Sequence, residues 1–137
     1  MPSGHRRAGL AVLIVALMAG QAPGISRAAD IDDAQRHFRT GDYARCLEMC
    51  TAAIEGGAYG ATWTILKADV LLLTGRYAEA REALEAAIVT YSWSIKLRCR
   101  LREALRYTGA PEEELDALEA AITGLVEATP WRYTDAE

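Results

Sequence analysis

The chain has 137 residues, which suits one domain, and its 51% hydrophobic and 25% charged residues are typical of a globular protein. Its formal net charge is −4, so it lacks the basic balance that a nucleic-acid-binding protein usually has. Composition and charge therefore argue against nucleic acid as a partner.

The segment 1–28 has the pattern of a secretory signal peptide. A basic start precedes an apolar run over residues 8–19, and Ser26 and Ala28 supply the small residues of a cleavage site. The run is about a dozen residues long, whereas a membrane-spanning helix needs roughly 20. We therefore expect a signal peptide over residues 1–28 and a periplasmic or secreted protein. An uncleaved signal anchor and an ordinary buried helix are the alternatives.

The mature chain that this cleavage would release is acidic. Losing Arg6, Arg7 and Arg27 lowers Lys plus Arg from 15 to 12 against 19 Asp plus Glu, which gives a net charge of −7. For this mature form we expect no nucleic acid and no membrane as a partner.

Two short motifs recur at one fixed spacing along the chain. The pair Thr-Gly begins at Thr40, Thr74 and Thr108, and Ala-Ala-Ile begins at Ala52, Ala86 and Ala120. Two motifs that keep one register three times predict an array of one supersecondary unit. We place the repeats at about 29–57, 61–91 and 94–128.

Each repeat has the pattern of two helices joined at the Thr-Gly pair. Glycine adopts the left-handed backbone that follows many helix ends, so Gly41, Gly75 and Gly109 are expected to end the first helices. Asp42 suits the N-cap of a second helix, and Pro111 suits the first position of another. Because such short connections make the two helices antiparallel, the sequence predicts an all-α fold of three stacked helical hairpins.

These features resemble the tetratricopeptide repeat family, whose period is about 34 residues. The resemblance covers about residues 29–128 and rests on the period, on the turn sequences Gly41-Asp42-Tyr43 and Gly75-Arg76-Tyr77, on Ala80, and on the late alanines Ala53, Ala87 and Ala121. It implies an α-solenoid, and a helical array of another repeat family is the alternative. In the third repeat Pro111 replaces the usual tyrosine and Glu114 replaces a small residue, so we expect this hairpin to pack less tightly.

Residues 129–137 continue the register, because Trp131 is in the position of Trp63 and Leu97. They are either a tail that folds back over the last helix or the start of a truncated fourth repeat. A solenoid without a polar capping helix exposes its last apolar face. Self-association through the C-terminal face is therefore a further hypothesis.

The three cysteines raise the question of a disulfide or a metal site. Cys46 and Cys50 lie one helical turn apart, in slots that apolar residues hold in the next repeat, and this register predicts small core residues. A disulfide that involves Cys99 is one alternative. A metal site is the other, with His37 as the one histidine left after cleavage.

No catalytic or cofactor motif stands out in the sequence. We find no Ser/His/Asp arrangement, nucleophile elbow, Walker loop or dinucleotide-binding loop. The glycine-rich residues 56–60 follow a predicted helix rather than a strand and lack a lysine, so we interpret them as a linker. We therefore expect no enzymatic activity, no cofactor and no metal.

Five cations crowd the first helix of the third repeat: Lys96, Arg98, Arg100, Arg102 and Arg106. In one interpretation they form a solvated face whose arginines pair with acids of the next helix. In the other they anchor a carboxylate or an acidic peptide, because arginine binds carboxylates in bidentate fashion.

The resemblance implies that a peptide or protein segment binds along a concave face lined by the first helices. By register, the candidate binding residues are Phe38, Arg39, Ile65, Asp69, Leu72, Leu73, Lys96, Glu103, Arg106 and Tyr107. The family's clamp for a C-terminal carboxylate uses asparagines where this chain has Gln35, Asp69 and Glu103, which speaks against that specificity. The alternative hypothesis is the repeat region of a longer envelope protein or enzyme whose chemistry lies beyond residue 137.

Overall fold

The computed structural model describes residues 27–132, with side chains from residue 31, and six α-helices account for most of this range. They are α1 (Arg27–Arg39), α2 (Tyr43–Glu55), α3 (Ala61–Leu73), α4 (Tyr77–Thr90), α5 (Ile95–Thr108) and α6 (Glu112–Ala128), followed by a 3-10 turn over Pro130–Arg132. The predicted all-α class is confirmed for the described residues. The predicted signal peptide lies almost wholly outside them.

The helices pack in chain order, each antiparallel to the one before it. Within the described range α3 also contacts α1 and α5, whereas α2, α4 and α6 do not contact one another. Because α3 has neighbours on several sides, seven of its 13 residues are buried. The first helix of each pair is therefore adjacent to the first helix of the next pair.

Most of the helix ends form where the sequence predicts them. Gly41, Gly75 and Gly109 have φ angles of 79°, 75° and 69°, so their predicted left-handed backbone is confirmed. The carboxylate of Asp42 accepts a hydrogen bond from the Arg45 backbone N–H at 3.3 Å, which confirms the predicted cap of α2. Pro111 differs from its predicted position, because its extended ψ of 150° places it one residue before α6.

The left-handed backbone of Gly75 gives a first prediction. Replacing Gly75 by alanine should lower the free energy of unfolding by about 1–2 kcal/mol, because a Cβ makes this conformation costly. The matched control is Gly124→Ala within α6, which should raise that free energy by about 0.5–1 kcal/mol. A Cβ meets no atom within 4 Å at either position, so crowding affects neither result. Urea unfolding measures both free energies. A change of the same sign in the two variants would contradict the left-handed backbone assigned to Gly75.

Two clusters of buried residues form the core. One joins α3, α4 and α5 around Leu71, Leu84 and Leu97. The other joins α1, α2 and α3 around Cys46 and Trp63. The half-buried Leu47 packs against both clusters. The core therefore runs from one pair of helices to the next.

The last helix, α6, contributes no buried residue to this core. Leu115 and Leu118 are half-buried against the cluster of α3, α4 and α5. Glu114, which replaces the buried Ala80 of the preceding pair, forms an ion pair with Arg81 at 2.6 Å. A carboxylate therefore occupies the position of a core alanine, as expected for a hairpin that packs less tightly.

The chain after α6 does not begin another α-helix within the described residues. Trp131 lies in the 3-10 turn and is 71% exposed, and the guanidinium of Arg132 lies 5.8 Å from the ring of Trp93. Residues 133–137 are outside the described range, so the choice between a tail and a truncated repeat stays open. Among residues 27–132, no helix combines the length and apolar character needed to cross a membrane.

Candidate functional site

The predicted binding residues lie on α1, α3 and α5, the first helices of the three pairs. Of these helices, α1 contacts α3 and α3 contacts α5. We use the term inner face for those that retain exposed surface, namely Phe38, Arg39, Ile65, Asp69, Leu73, Lys96, Glu103, Arg106 and Tyr107. These residues are spread over α1, α3 and α5 rather than gathered in one pocket.

Leu72 does not belong to the inner face, contrary to its assignment from the sequence. Its side chain is only 9% exposed and packs in the core with Leu84 and Leu105. The neighbouring Leu73 is 62% exposed. Because α3 is apolar on nearly all sides, residue type alone does not separate its core positions from its surface positions.

The other apolar residues of the inner face differ in how much surface they offer. Phe38 and Ile65 are half-buried and pack against the two core clusters. Tyr107 is 60% exposed and stacks on Tyr77, with ring centroids 4.4 Å apart and planes 14° apart. This stacking fixes the orientation of the exposed Tyr107 ring. Leu73 and Tyr107 are therefore the apolar side chains most available to a partner.

A shallow depression groups three of the predicted residues on α5. Its lining residues are Cys99, Arg100, Arg102, Glu103, Arg106 and Tyr107. All six belong to one helix, so the depression is an open groove between long side chains rather than an enclosed cavity. The structure brings Glu103, Arg106 and Tyr107 together here, whereas Phe38 and Arg39 lie on α1.

Asp69 connects α3 to this depression through an ion pair. Its carboxylate lies 2.5 Å from the guanidinium of Arg100, and this hydrogen bond raises the pKa of Arg100. The sequence predicts that Asp69 contacts a partner, and in the structure its carboxylate also connects α5 to α3. A surface ion pair of this kind contributes about 0–1 kcal/mol to stability.

The remaining arginines of α5 have few carboxylate partners. Arg102 and Arg106 lie 3.2 Å and 3.8 Å from the same carboxylate, that of Glu119 on α6. The predicted pairing with the next helix is thus confirmed for these two, while Arg100 pairs with the preceding hairpin instead. Arg98 donates to the backbone carbonyl of Ser94 at 3.2 Å. Arg102 and Arg106 thus share the carboxylate of Glu119, and Glu103 adds a second carboxylate to the depression beside Tyr107.

The cysteines differ in their surroundings. Cys46 and Cys50 are fully buried, whereas Cys99 is half-buried on α5, and all three are free thiols. Burial raises the pKa of Cys46, and it raises the pKa of Cys50 to about 12. Cys46 and Cys50 are therefore small core residues, as predicted.

This difference gives a second prediction. In the native protein at pH 8, a disulfide reagent such as 5,5′-dithiobis(2-nitrobenzoate) should modify Cys99 within minutes. Cys46 and Cys50 should react only on unfolding, because burial keeps them protonated and inaccessible. A Cys99→Ser variant should lose the fast phase and keep the slow one. Fast modification of all three thiols would contradict the described core.

Between residues 27 and 132, no group of three or more His, Cys, Asp and Glu side chains is arranged to hold a metal ion. Comparison of the chain with known protein families, with curated proteins and with solved structures gives no match. What the geometry defines is an all-helical domain of six sequential antiparallel helices.

Tyr77 is the residue of this surface that the sequence analysis did not identify. We interpreted it only as part of the turn sequence at residues 75–77, yet its ring supports Tyr107. The sequence gives little indication of this contact, because the two tyrosines lie in different repeats and no helical period links them. Only the packing of α4 against α5 places their rings together.

Proposed function

We propose that the chain is a tetratricopeptide-repeat-like scaffold, periplasmic or secreted, that binds a segment of another protein along its inner face without catalysing a reaction. The helix positions support the repeat. The second helices α2 and α4 begin at equivalent tyrosines, Tyr43 and Tyr77, and the first helices α3 and α5 begin at the equivalent positions Ala61 and Ile95. The contacts between α1, α3 and α5, and their absence between α2, α4 and α6, fit hairpins stacked in one direction.

The observation that carries the proposed binding is the exposure of two equivalent side chains. Leu73 and Tyr107 are each more than half exposed, and each directly precedes the Thr-Gly pair at the end of a first helix. A single exposed leucine is ordinary. Leu73 and Tyr107 recur at one position of the period, and Tyr107 adjoins Arg106. Tyrosine and arginine are enriched at the centres of interfaces.

The charges of α5 indicate what chemistry the bound segment has. Arg106 is exposed and has only a 3.8 Å contact with Glu119, which Arg102 contacts more closely. An incoming carboxylate would form a closer, bidentate pair with Arg106 than Glu119 does. The proposed partner segment therefore has an apolar side chain for Leu73 and Tyr107, next to an acidic group for Arg106.

Capture of a partner from a cell-envelope extract tests this proposal. A Leu73→Ala/Arg106→Ala variant should capture about one tenth as much partner as the wild type, or less. Each truncation of a central contact costs more than about 1 kcal/mol of binding free energy. Both side chains are exposed, so the circular dichroism spectrum should not change.

The matched control is Val89→Ala on α4, which is 83% exposed and lies outside the inner face. Capture by this control should equal that of the wild type. Equal capture by the double variant with an unchanged spectrum would rule out the inner face as the binding surface.

A further inference from the structure

A second cleft lies between α2 and α4, over α3, and none of the inner-face residues lines it. It exists because α2 and α4 do not contact each other and because α4 lines it with the small side chains of Ala83, Ala86 and Ala87. Its volume is about 410 Å³, which falls in the range of sites for small molecules.

The walls of this cleft are mostly apolar. Ile54 and the alanines of α4 line its sides, and Tyr59 and Tyr91 lie at one end with ring centroids 5.7 Å apart. The hydroxyl of Tyr91 already accepts a hydrogen bond from the Gly60 backbone N–H at 2.9 Å. Thr64 and Thr90 also line the cleft. These few hydroxyl groups would leave most backbone amides of an extended peptide without a partner.

Among the described residues that line the cleft, Lys67 is the one with a charged side chain. The nearby Glu79 forms an ion pair with Arg76 at 2.5 Å. The hydrogen bond from Arg76 is the main cause that lowers the pKa of Glu79, and the positive charge of Lys67 lowers it to a smaller extent. Within the described part of the chain Lys67 makes no ion pair of its own. Its ammonium group is thus available to an anion at the cleft.

From this arrangement we propose that the cleft binds an aliphatic carboxylate. The alkyl chain would lie along Ala83, Ala86 and Ala87, and the carboxylate would pair with Lys67. One cation beside an apolar trough matches a ligand with one anionic end and an otherwise apolar body. The inference depends on the cleft alone and is independent of the function proposed for the inner face.

Titration with decanoate by isothermal calorimetry tests the proposal. The wild type should bind it saturably at one site. Lys67→Met should weaken binding about tenfold, the value of one charge-assisted hydrogen bond. Ala86→Phe should abolish binding because the ring fills the trough, and the exposure of Ala86 allows the substitution without disturbing the core.

The matched control is Ala120→Phe, the equivalent exposed position of the next repeat, on α6, which should bind as the wild type does. The neutral analogue decanol should bind the wild type about tenfold more weakly than decanoate and should not distinguish Lys67→Met from the wild type. Absence of saturable decanoate binding to the wild type would overturn the proposal. So would unchanged binding to Lys67→Met or to Ala86→Phe.

Discussion

Replacing Leu84 by alanine is expected to lower the free energy of unfolding by about 2–5 kcal/mol. Leu84 is fully buried on α4, in the cluster that also contains Leu71 from α3 and Leu97 from α5. Removing its branched end leaves a cavity where three helices meet, and surrounding helices can close such a space only in part. This loss is a large share of the roughly 5–15 kcal/mol that stabilises a typical domain.

Val89→Ala is the matched control for Leu84→Ala, because Val89 lies on the same helix and is 83% exposed. Its effect should stay within about 0.5 kcal/mol. Urea unfolding followed by far-ultraviolet circular dichroism measures both variants. Similar losses for the two would show that α4 does not face the core as described.

Replacing Trp63 by alanine is expected to cost about 3–5 kcal/mol, the largest effect of any single substitution considered for this chain. Trp63 is 5% exposed and packs on α3 in the cluster that contains Cys46, Cys50 and Val70. An indole has the largest apolar surface of any side chain, so its truncation opens the largest cavity. The variant should unfold at a much lower urea concentration.

The matched control for Trp63→Ala is Trp131→Ala, because the two tryptophans share one register position. Trp131 is 71% exposed in the 3-10 turn, so its replacement should cost less than about 1 kcal/mol. Equal losses at both positions would mean that Trp131 packs like a residue of a further repeat. A small loss at Trp63 would contradict the cluster around it.

The period of the sequence was enough to predict the six helices and their turns. Gly41, Gly75 and Gly109 could be identified because a left-handed helix end is a local requirement that few other residues meet. Asp42 could be identified as a cap for the same reason. Local rules were thus enough to predict these helix ends.

The surface was harder to predict, because it depends on contacts between residues far apart in sequence. Leu72 and Leu73 are both leucines on α3, yet one is buried and the other exposed. Arg100 pairs with Asp69 of the preceding hairpin, although its own helix is followed by the acidic α6. The cleft beside Lys67 follows from a gap between α2 and α4 that no motif marks.

Photocrosslinking in intact cells tests the central claim, binding at the inner face, most directly. With p-benzoylphenylalanine in place of Tyr107, the account predicts a crosslinked species that contains a second protein and that Arg106→Ala weakens. The same probe in place of Val89 should give no such species. Crosslinks at residue 89 but not at residue 107, or at neither, would contradict binding at the inner face.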